Sequence, residues 1–403
     1  MNLVRLFSLF ACLLLFTCCE SLVLGCQTDS PATLEAKAAS TSLADRLKDR
    51  VRQAIETGDL PGCVLAYGNR KEVQSILALG NRESFPEPVA MTPDTVFDLA
   101  SLTKPLATAT AVMLLVDQGK LDLQDTLAKH LPGFGVAGKE TITLQQALVH
   151  QSGLIADNPL ADYRDGPAAA WKNICQLKLV DEVGTRFRYS DVNFIVLGKL
   201  VEEVSGETLD QFTKQHLFQP LGMNDTGYLP NESLRLRAAP TERRNDQWMR
   251  GEVHDPRAFA LRGVAGHAGV FSTADDLALY AQAALGCLSE EVDASSPQAN
   301  AAAADSVFPL SPTSLRIMTA AHAVSRGTRG LGWDKQSPYS SNRSELLSPA
   351  AFGHGGFTGT VFWIDPDRDF FFIFLSSRLY PDGEGAVNRL AAELQTMILQ
   401  AGP

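Results

Sequence analysis

The sequence predicts an α/β (α+β) fold: an antiparallel sheet flanked by N- and C-terminal helices, with a mostly helical subdomain inserted between its two parts. Three observations carry this expectation. The folded region opens as helix–strand–strand, it closes as strand–strand–helix, and the long middle reads as helices with their own caps.

At the start, Leu43, Leu47, Val51 and Ile55 recur every four residues and Gly58 stops the helix. Strands follow at Val64 to Tyr67 and Val73 to Leu79, turned at Gly68-Asn69-Arg70. At the far end, Thr360 to Ile364 and Phe370 to Leu375 read as paired strands around Asp365-Pro366-Asp367. A last helix presents Leu390, Leu394 and Ile398 to a core. The mirrored order places both ends of the chain in one sheet. In between, Thr143 with Gln146 and Thr208 with Gln211 read as capping boxes, and Ser272 with Asp275 as a weaker one. The helical subdomain is expected over about 100–320. A low-complexity surface loop is expected at 288–306.

The first residues are not part of that fold. Arg5 precedes the apolar run Leu6 to Phe16, which as a helix spans only about 16 Å against the roughly 30 Å of a bilayer core. It reads as the h-region of a secretory signal. Val23-Leu24-Gly25-Cys26 resembles a bacterial lipobox, so residues 1–26 are expected to be a leader with Cys26 lipidated. Residues 27–41 are expected to be a tether and 42–400 the domain. The chain is then a lipoprotein of the cell envelope on the periplasmic face, held to the membrane through its lipid. Cys63, Cys175 and Cys287 remain in the domain. An odd, widely spaced trio is no disulfide framework, although one bridge stays open as an alternative to three buried thiols.

The 403 residues are 45% hydrophobic and 20% charged, as in a soluble globular protein, with a formal net charge of −11. That charge, with no Lys/Arg run, argues against a nucleic-acid partner. No cofactor is implied, and no CxxC or H-E-x-x-H pattern suggests a metal.

Three stretches carry chemistry. Ser101-Leu102-Thr103-Lys104 follows an apolar run and opens a helical stretch, Pro105 to Asp117, closed by Gly119. Positions i and i+3 share a helix face, so Ser101 and Lys104 are expected as neighbours. A serine hydroxyl needs a base to become a nucleophile, and a lysine is that base only when neutral. A capping serine followed by a surface lysine would read the same. Tyr189-Ser190-Asp191 leads into an apolar helix. The Tyr189 hydroxyl could relay a proton and Asp191 could orient Lys104 or a substrate amide; alternatively Asp191 is an N-cap beside a half-buried tyrosine. His354-Gly355-Gly356-Phe357 precedes the strand at Thr360. Its small residues would let a substrate lie along the strand edge, and a backbone N–H there could complete an oxyanion hole with that of Ser101. A glycine-rich turn is the simpler alternative.

Together, in this order, the three stretches resemble the penicillin-recognising serine hydrolases: class C β-lactamases, D,D-peptidases and related esterases. Val96-Phe97-Asp98-Leu99-Ala100-Ser101, Leu148-Val149-His150-Gln151-Ser152-Gly153-Leu154 and Gly263-Val264-Ala265-Gly266-His267-Ala268-Gly269-Val270-Phe271-Ser272-Thr273 are similar to that group's phrasing. The resemblance implies Ser101 as nucleophile, Lys104 as base and Tyr189 as relay. It implies His354 in the place of the lysine of a Lys-Thr-Gly element, Gly356 beside it, and the Phe357 N–H as second oxyanion donor. It covers about residues 42–400. Two departures weigh against β-lactams: Asp191 stands where class C β-lactamases carry Asn, and His354-Gly355-Gly356 where they carry Lys-Thr-Gly. A substrate carboxylate would then need a protonated His354 or an arginine such as Arg262.

The expected activity is a serine hydrolase acting through an acyl-enzyme on D-amino-acid peptides, cell-wall fragments or small carboxylic esters. A class C-type β-lactamase is the alternative within enzymes. An envelope lipoprotein that binds or senses cell-wall fragments is the alternative outside them. No G-x-S-x-G elbow and no phosphate-binding loop is present. His150 and His267 read as satisfied structural histidines, and the four tryptophans as core or cleft wall.

Overall fold

A strand that is buried at every position has both faces covered, and three strands here are so: Gly-Cys-Val-Leu-Ala-Tyr-Gly, Thr-Val-Phe-Trp-Ile-Asp and Phe-Phe-Phe-Ile-Phe-Leu-Ser. The computed structural model describes residues 42–289 and 308–402. Helix α1 (Leu43–Glu56) leads into β1 (Gly62–Gly68), β2 (Val73–Glu83), β3 (Val89–Ala90) and β4 (Phe97–Asp98). The middle holds α2 (Thr110–Asp117), α3 (Asp191–Ser205), β5 (Gly227–Tyr228), β6 (Pro240–Arg244), β7 (Gln247–Arg250), β8 (Val270–Ser272) and α4 (Ala274–Ser289), with further helices between. The chain then returns through β9 (His322–Val324), β10 (Gly327–Arg329), β11 (Asp334–Gln336), β12 (Phe352–Gly356), β13 (Thr360–Asp365) and β14 (Phe370–Ser376) to α5 (Asn388–Ala401).

The main sheet has the order β3-β2-β1-β14-β13-β12-β11-β10-β9, with antiparallel pairing at each neighbour. The first strand of the chain pairs with the last, as the mirrored ends predicted. Alternation along each strand sends side chains to opposite faces. Cys63, Leu65, Trp363, Phe372 and Phe374 join one core with Leu47, Val51, Leu390, Leu394 and Ile398 of α1 and α5. Val64, Ala66, Phe362, Ile364, Phe371 and Ile373 join the other, larger core of the helical region. The sheet is therefore the middle of three layers.

Several expectations need correction. Thr143 and Gln146 do form a reciprocal capping box, but Thr208 makes no side-chain cap bond. Ser272 ends β8, and it is Thr273 that accepts from the Asp276 N–H to cap α4. Ser190, not Asp191, caps α3 by accepting from the Asn193 N–H. The inserted region is mostly helical, as expected, and it also carries β4-β8-β5 as a small sheet and β6-β7 as a hairpin. Of the loop expected at 288–306, Leu288 and Ser289 close α4, and the rest lies outside the described residues, as do Cys26, the leader and the tether. Cys63, Cys175 and Cys287 are all buried, and none of them is in a disulfide among the described residues.

The largest correction concerns β12. His354-Gly355-Gly356 is not a turn before the strand at Thr360; it is itself a strand, paired Gly353 to Trp363 and His354 to Phe362. Its glycines are there because neighbours lie too close for a side chain. A Cβ on Gly353 would meet the Trp363 ring at 2.3 Å and the Phe362 carbonyl oxygen at 2.4 Å; one on Gly356 would meet Thr360 Oγ1 at 2.1 Å. We predict that Gly353→Ala lowers stability by about 1–3 kcal/mol through overpacking, read from urea unfolding. An unchanged midpoint would show that Trp363 can move aside.

Candidate active site

Ser101 sits in a tight turn directly after β4. The turn is held in an uncommon shape: Ala100 has φ +46°, a left-handed value that costs a non-glycine residue about 1–3 kcal/mol. Asp98 fixes it. One carboxylate oxygen accepts from the Ala100 N–H at 2.8 Å and the other from the His254 N–H at 2.7 Å. Threonine hydroxyls tie the same turn to the β12–β13 edge: Thr358 donates to the Asp98 carbonyl at 2.6 Å and Thr360 to the Leu99 carbonyl at 3.2 Å. The helix beyond starts with a wide π turn over Lys104–Ala109 before α2, closed by Thr110 Oγ1 donating to the Pro105 carbonyl at 2.9 Å.

Lys104 is 0% exposed. Its Nζ donates to Ser101 Oγ at 3.0 Å and to the His267 carbonyl at 3.1 Å, and it lies 2.6 Å from Asp191 Oδ1. Three partners match the three N–H bonds of an ammonium. Burial pulls the Lys104 ammonium toward deprotonation, but Asp191, with Tyr189, more than offsets it, and the net shift is upward. Burial likewise pushes Asp191 up, and Lys104 overcomes it to hold the carboxyl below its usual range. The resting lysine is thus charged, whereas the sequence reading required it to be neutral. The reason is Asp191, a full negative charge in van der Waals contact with the ammonium.

The Tyr189 ring lies 5.0 Å from Lys104 Nζ, between His150 (4.6 Å between centroids) and Tyr339 (4.7 Å). His150 is more than filler: its Nδ1 accepts from the Ser190 N–H at 3.1 Å, fixing the turn that carries Tyr189. The structure therefore brings Ser101, Lys104, Tyr189 and Asp191 together. Ser101 and Tyr189 also line a cleft of about 600 Å³ with His354, Gly356 and Phe357.

His354 is buried, its Nδ1 bonded to the Gly355 carbonyl at 2.8 Å. Burial, and then the charges of Arg329 and Lys104, push its pKa well below that of a free histidine; burial does the same to His150. Neutral His354 does not supply the cation that the lysine of a Lys-Thr-Gly element would. Arg262 does not supply it either, because it lines other cavities, beside Leu229 and Gly263. The guanidinium that does reach the cleft is Arg378, whose Nε donates to the Phe357 carbonyl at 2.8 Å and Nη1 to the Gly385 carbonyl at 2.8 Å. Sequence reasoning missed Arg378, Asn342 and Tyr339. Among the described residues, one group could in geometry hold a metal: Asp191, Asp255 and His267, whose donor atoms lie within 4.8 Å of one another. Lys104 already serves as the cation for Asp191 there.

A three-layer α/β domain with a serine, a buried lysine and a tyrosine at the edge of its antiparallel sheet defines the class of β-lactamase-related serine hydrolases. The chain belongs to the Beta-lactamase family, whose sequence model matches residues 47–396. It is similar to N-acetylmuramyl-L-alanine amidase of Bacillus subtilis (strain 168), 32% identical over 387 residues, covering 83% of this chain and 81% of that one. The fold is shared with EstCE1, a hydrolase with promiscuous acyltransferase activity (TM-score 0.66, 24% identity, 90% of this chain and 99% of that chain). It is also shared with the D-alanine carboxypeptidase AmpC from Burkholderia cenocepacia (TM-score 0.67, 20% identity, 89% and 99%). The chain is thus an enzyme of this hydrolase superfamily.

The two neutral histidines set an acid limit on stability. Their folded pKa lies below the unfolded value of about 6.5, so the unfolded chain binds more protons. Their contribution is complete above about pH 6.5 and is lost as pH falls, by up to about 1.4 kcal/mol per pH unit for each. Urea unfolding from about pH 7 to 5 should show this loss, and His354→Asn should flatten the slope. Parallel slopes for the two proteins would show that His354 is not buried neutral.

Proposed function

We propose that this chain hydrolyses acyl bonds through an acyl-enzyme on Ser101, in D-amino-acid peptides, cell-wall fragments or small carboxylic esters in preference to β-lactams. The observation that carries this reading is the 3.0 Å contact between Lys104 Nζ and Ser101 Oγ at a cleft of about 600 Å³. Lys104 first gives up one proton to solvent. It then takes the Ser101 hydroxyl proton as Oγ bonds to the substrate carbonyl carbon. The backbone N–H groups of Ser101 and Phe357 receive the developing oxyanion. Tyr189 passes a proton to the leaving nitrogen or oxygen as its bond to carbon breaks. Water then bonds to the acyl carbon and gives its proton to the Tyr189 phenolate, or to Lys104 once Lys104 has reprotonated Tyr189, and Lys104 returns a proton to Ser101 Oγ as the acyl bond breaks and the acid leaves. Since Lys104 starts charged, the rate rises with pH.

The state of His354 bears on the substrate. With no free cation in its place, a leaving group with a carboxylate next to the scissile bond gains little. Acyl bonds to a leaving group without an adjacent free carboxylate are preferred. The Bacillus relative is named for an amide of a cell-wall fragment, and we assign this chain to the same broad chemistry. Arg378 at the cleft favours a second reading, carboxypeptidase action on a terminal D-alanine.

Lys104→Met should keep the fold and lower turnover of a short-chain p-nitrophenyl ester by at least about 10²-fold. Normal turnover would remove Lys104 as base. An N-acetylmuramyl-L-alanyl peptide should be cleaved faster than an acyl-D-alanyl-D-alanine, and the reverse order would favour the second reading. We further propose the lipidated Cys26 as the anchor of an envelope lipoprotein. Cys26→Ala should move the full chain from the membrane to the soluble fraction, and unchanged fractionation would end that proposal.

A further inference from the structure

The cleft does not end at Ser101. Strand β11 pairs with β12 at a single position, Asp334 to Gly353, so His354–Gly356 has no strand beside it on that edge. The segment Ser337–Asn342 stands there instead. It is built on Asp334, whose two carboxylate oxygens accept from Ser337 Oγ and Ser340 Oγ at 2.7 Å each. The fully buried Arg329 of β10 balances that carboxylate, with Nη1 2.9 Å from Oδ1. Within the segment, Tyr339 lies on the Tyr189 ring. Asn342 closes it and is 2% exposed and locked: its carbonyl accepts from Gln395 Nε2 of α5 at 2.7 Å, and its Oδ1 from Trp363 Nε1 at 3.1 Å. An indole N–H only donates, so Trp363 fixes which side-chain atom of Asn342 is the oxygen. The Nδ2 group is turned the other way, against Gly355, where a Cβ would meet it at 2.4 Å. Nδ2 has no hydrogen-bond partner among the described residues, and Asn342 lines the cleft. Alternation along β12 puts Gly355 on the Trp363 face and Gly356 on the other, where a Cβ would meet the Leu99 carbonyl oxygen of the Ser101 turn at 2.4 Å. The cleft of about 600 Å³ therefore passes round the β12 edge, from Ser101 to Asn342.

We propose that Asn342 is a specificity-determining residue of the cleft: its Nδ2 donates to the carbonyl oxygen of a second, uncharged amide group on a substrate that reaches round the β12 edge from Ser101. The inference rests on the hydrolase reading above and adds a preference that a simple ester does not meet. An amide is selected over a carboxylate because this wall offers a donor without a free cation. Arg329 is taken by Asp334, and Arg343, which follows Asn342, donates to the Leu347 and Ser348 carbonyls at 3.0 and 2.7 Å. A carboxylate would also share the cleft with Asp334. A fixed buried donor discriminates against a ligand that leaves it unpaired. Two sources carry such a group: the acetamido group of an N-acetyl amino sugar, and a peptide bond removed from the scissile one.

The test compares kcat/KM within two matched pairs of substrates, in wild type and in Asn342→Asp, which keeps an oxygen for Trp363 and replaces the donor. One pair is N-acetylmuramyl-L-alanine and its analogue with a hydroxyl in place of the acetamido group. The other is the p-nitrophenyl ester of an N-acetyl dipeptide and p-nitrophenyl hexanoate. In at least one pair, the preference for the amide-bearing member should be about tenfold greater in wild type than in Asn342→Asp, as for one hydrogen bond. The pair that responds names the source. Equal preferences in the two proteins, in both pairs, would overturn the proposal. Should Asn342→Asp fail to fold, Asn342→Ser removes Nδ2 without adding a charge and gives the same comparison. Binding separates this proposal from the reading it rests on. A wild type that turned over none of the four compounds would count against the hydrolase reading. Calorimetry would still show N-acetylmuramyl-L-alanine, or the N-acetyl dipeptide, bound to Ser101→Ala about tenfold more tightly than to the Ser101→Ala, Asn342→Asp double variant. Equal affinities for both ligands would overturn the role of Asn342.

Discussion

The buried pair of Lys104 and Asp191 is the constraint around which the rest of the site is arranged. A lysine wholly withdrawn from water, 2.6 Å from a largely buried aspartate, is costly unless its own donors are matched. Each ammonium N–H accordingly finds a partner: Ser101, the His267 carbonyl and Asp191. This explains the run Gly-His-Ala-Gly, which must approach two helices at once. A Cβ on Gly266 would meet the Phe194 carbonyl oxygen of α3 at 1.9 Å, while Thr108 donates to the Gly266 carbonyl at 2.7 Å. The carbonyl of His267 is thereby delivered to Nζ.

The sheet delivers the other half. Its two cores fix β13 and β14 on both faces, and β12 hangs on β13. Thr358 and Thr360 then clamp the Ser101 turn to that edge, so Ser101 and the Phe357 turn face one cleft. Phe357 is 57% exposed, with the His254 ring at 5.5 Å and the Arg378 guanidinium 4.6 Å from its ring. The left-handed Ala100 backbone is held by the local Asp98 bond to its N–H together with these long-range bonds.

The layered fold was legible because β1, β13 and β14 are built on long apolar runs and α1 and α5 carry a strict helical period. The Ser101–Lys104 contact was legible from i, i+3 spacing. Strand β12 was not, since glycine weakens a strand and its presence here answers to Trp363, Asn342 and Leu99, which are distant in sequence. The charge on Lys104 was not legible either, because spacing says nothing of how close Asp191 would come. Arg378 was missed in favour of Arg262 for the same reason: both are lone arginines, and only the fold decides which one faces Ser101. The caps of α3 and α4 were each misplaced by one residue, as a Ser-Asp or Ser-Thr pair offers two equivalent starts.

The most direct measurement of the central claim is peptide mapping by mass spectrometry after acid quench of the protein reacting with an activated acyl ester. A covalent acyl group on the peptide bearing Ser101, absent from Ser101→Ala and scarce in Lys104→Met, is the predicted result. Ester turnover with the acyl group on another residue, or undiminished turnover in Ser101→Ala, would contradict it.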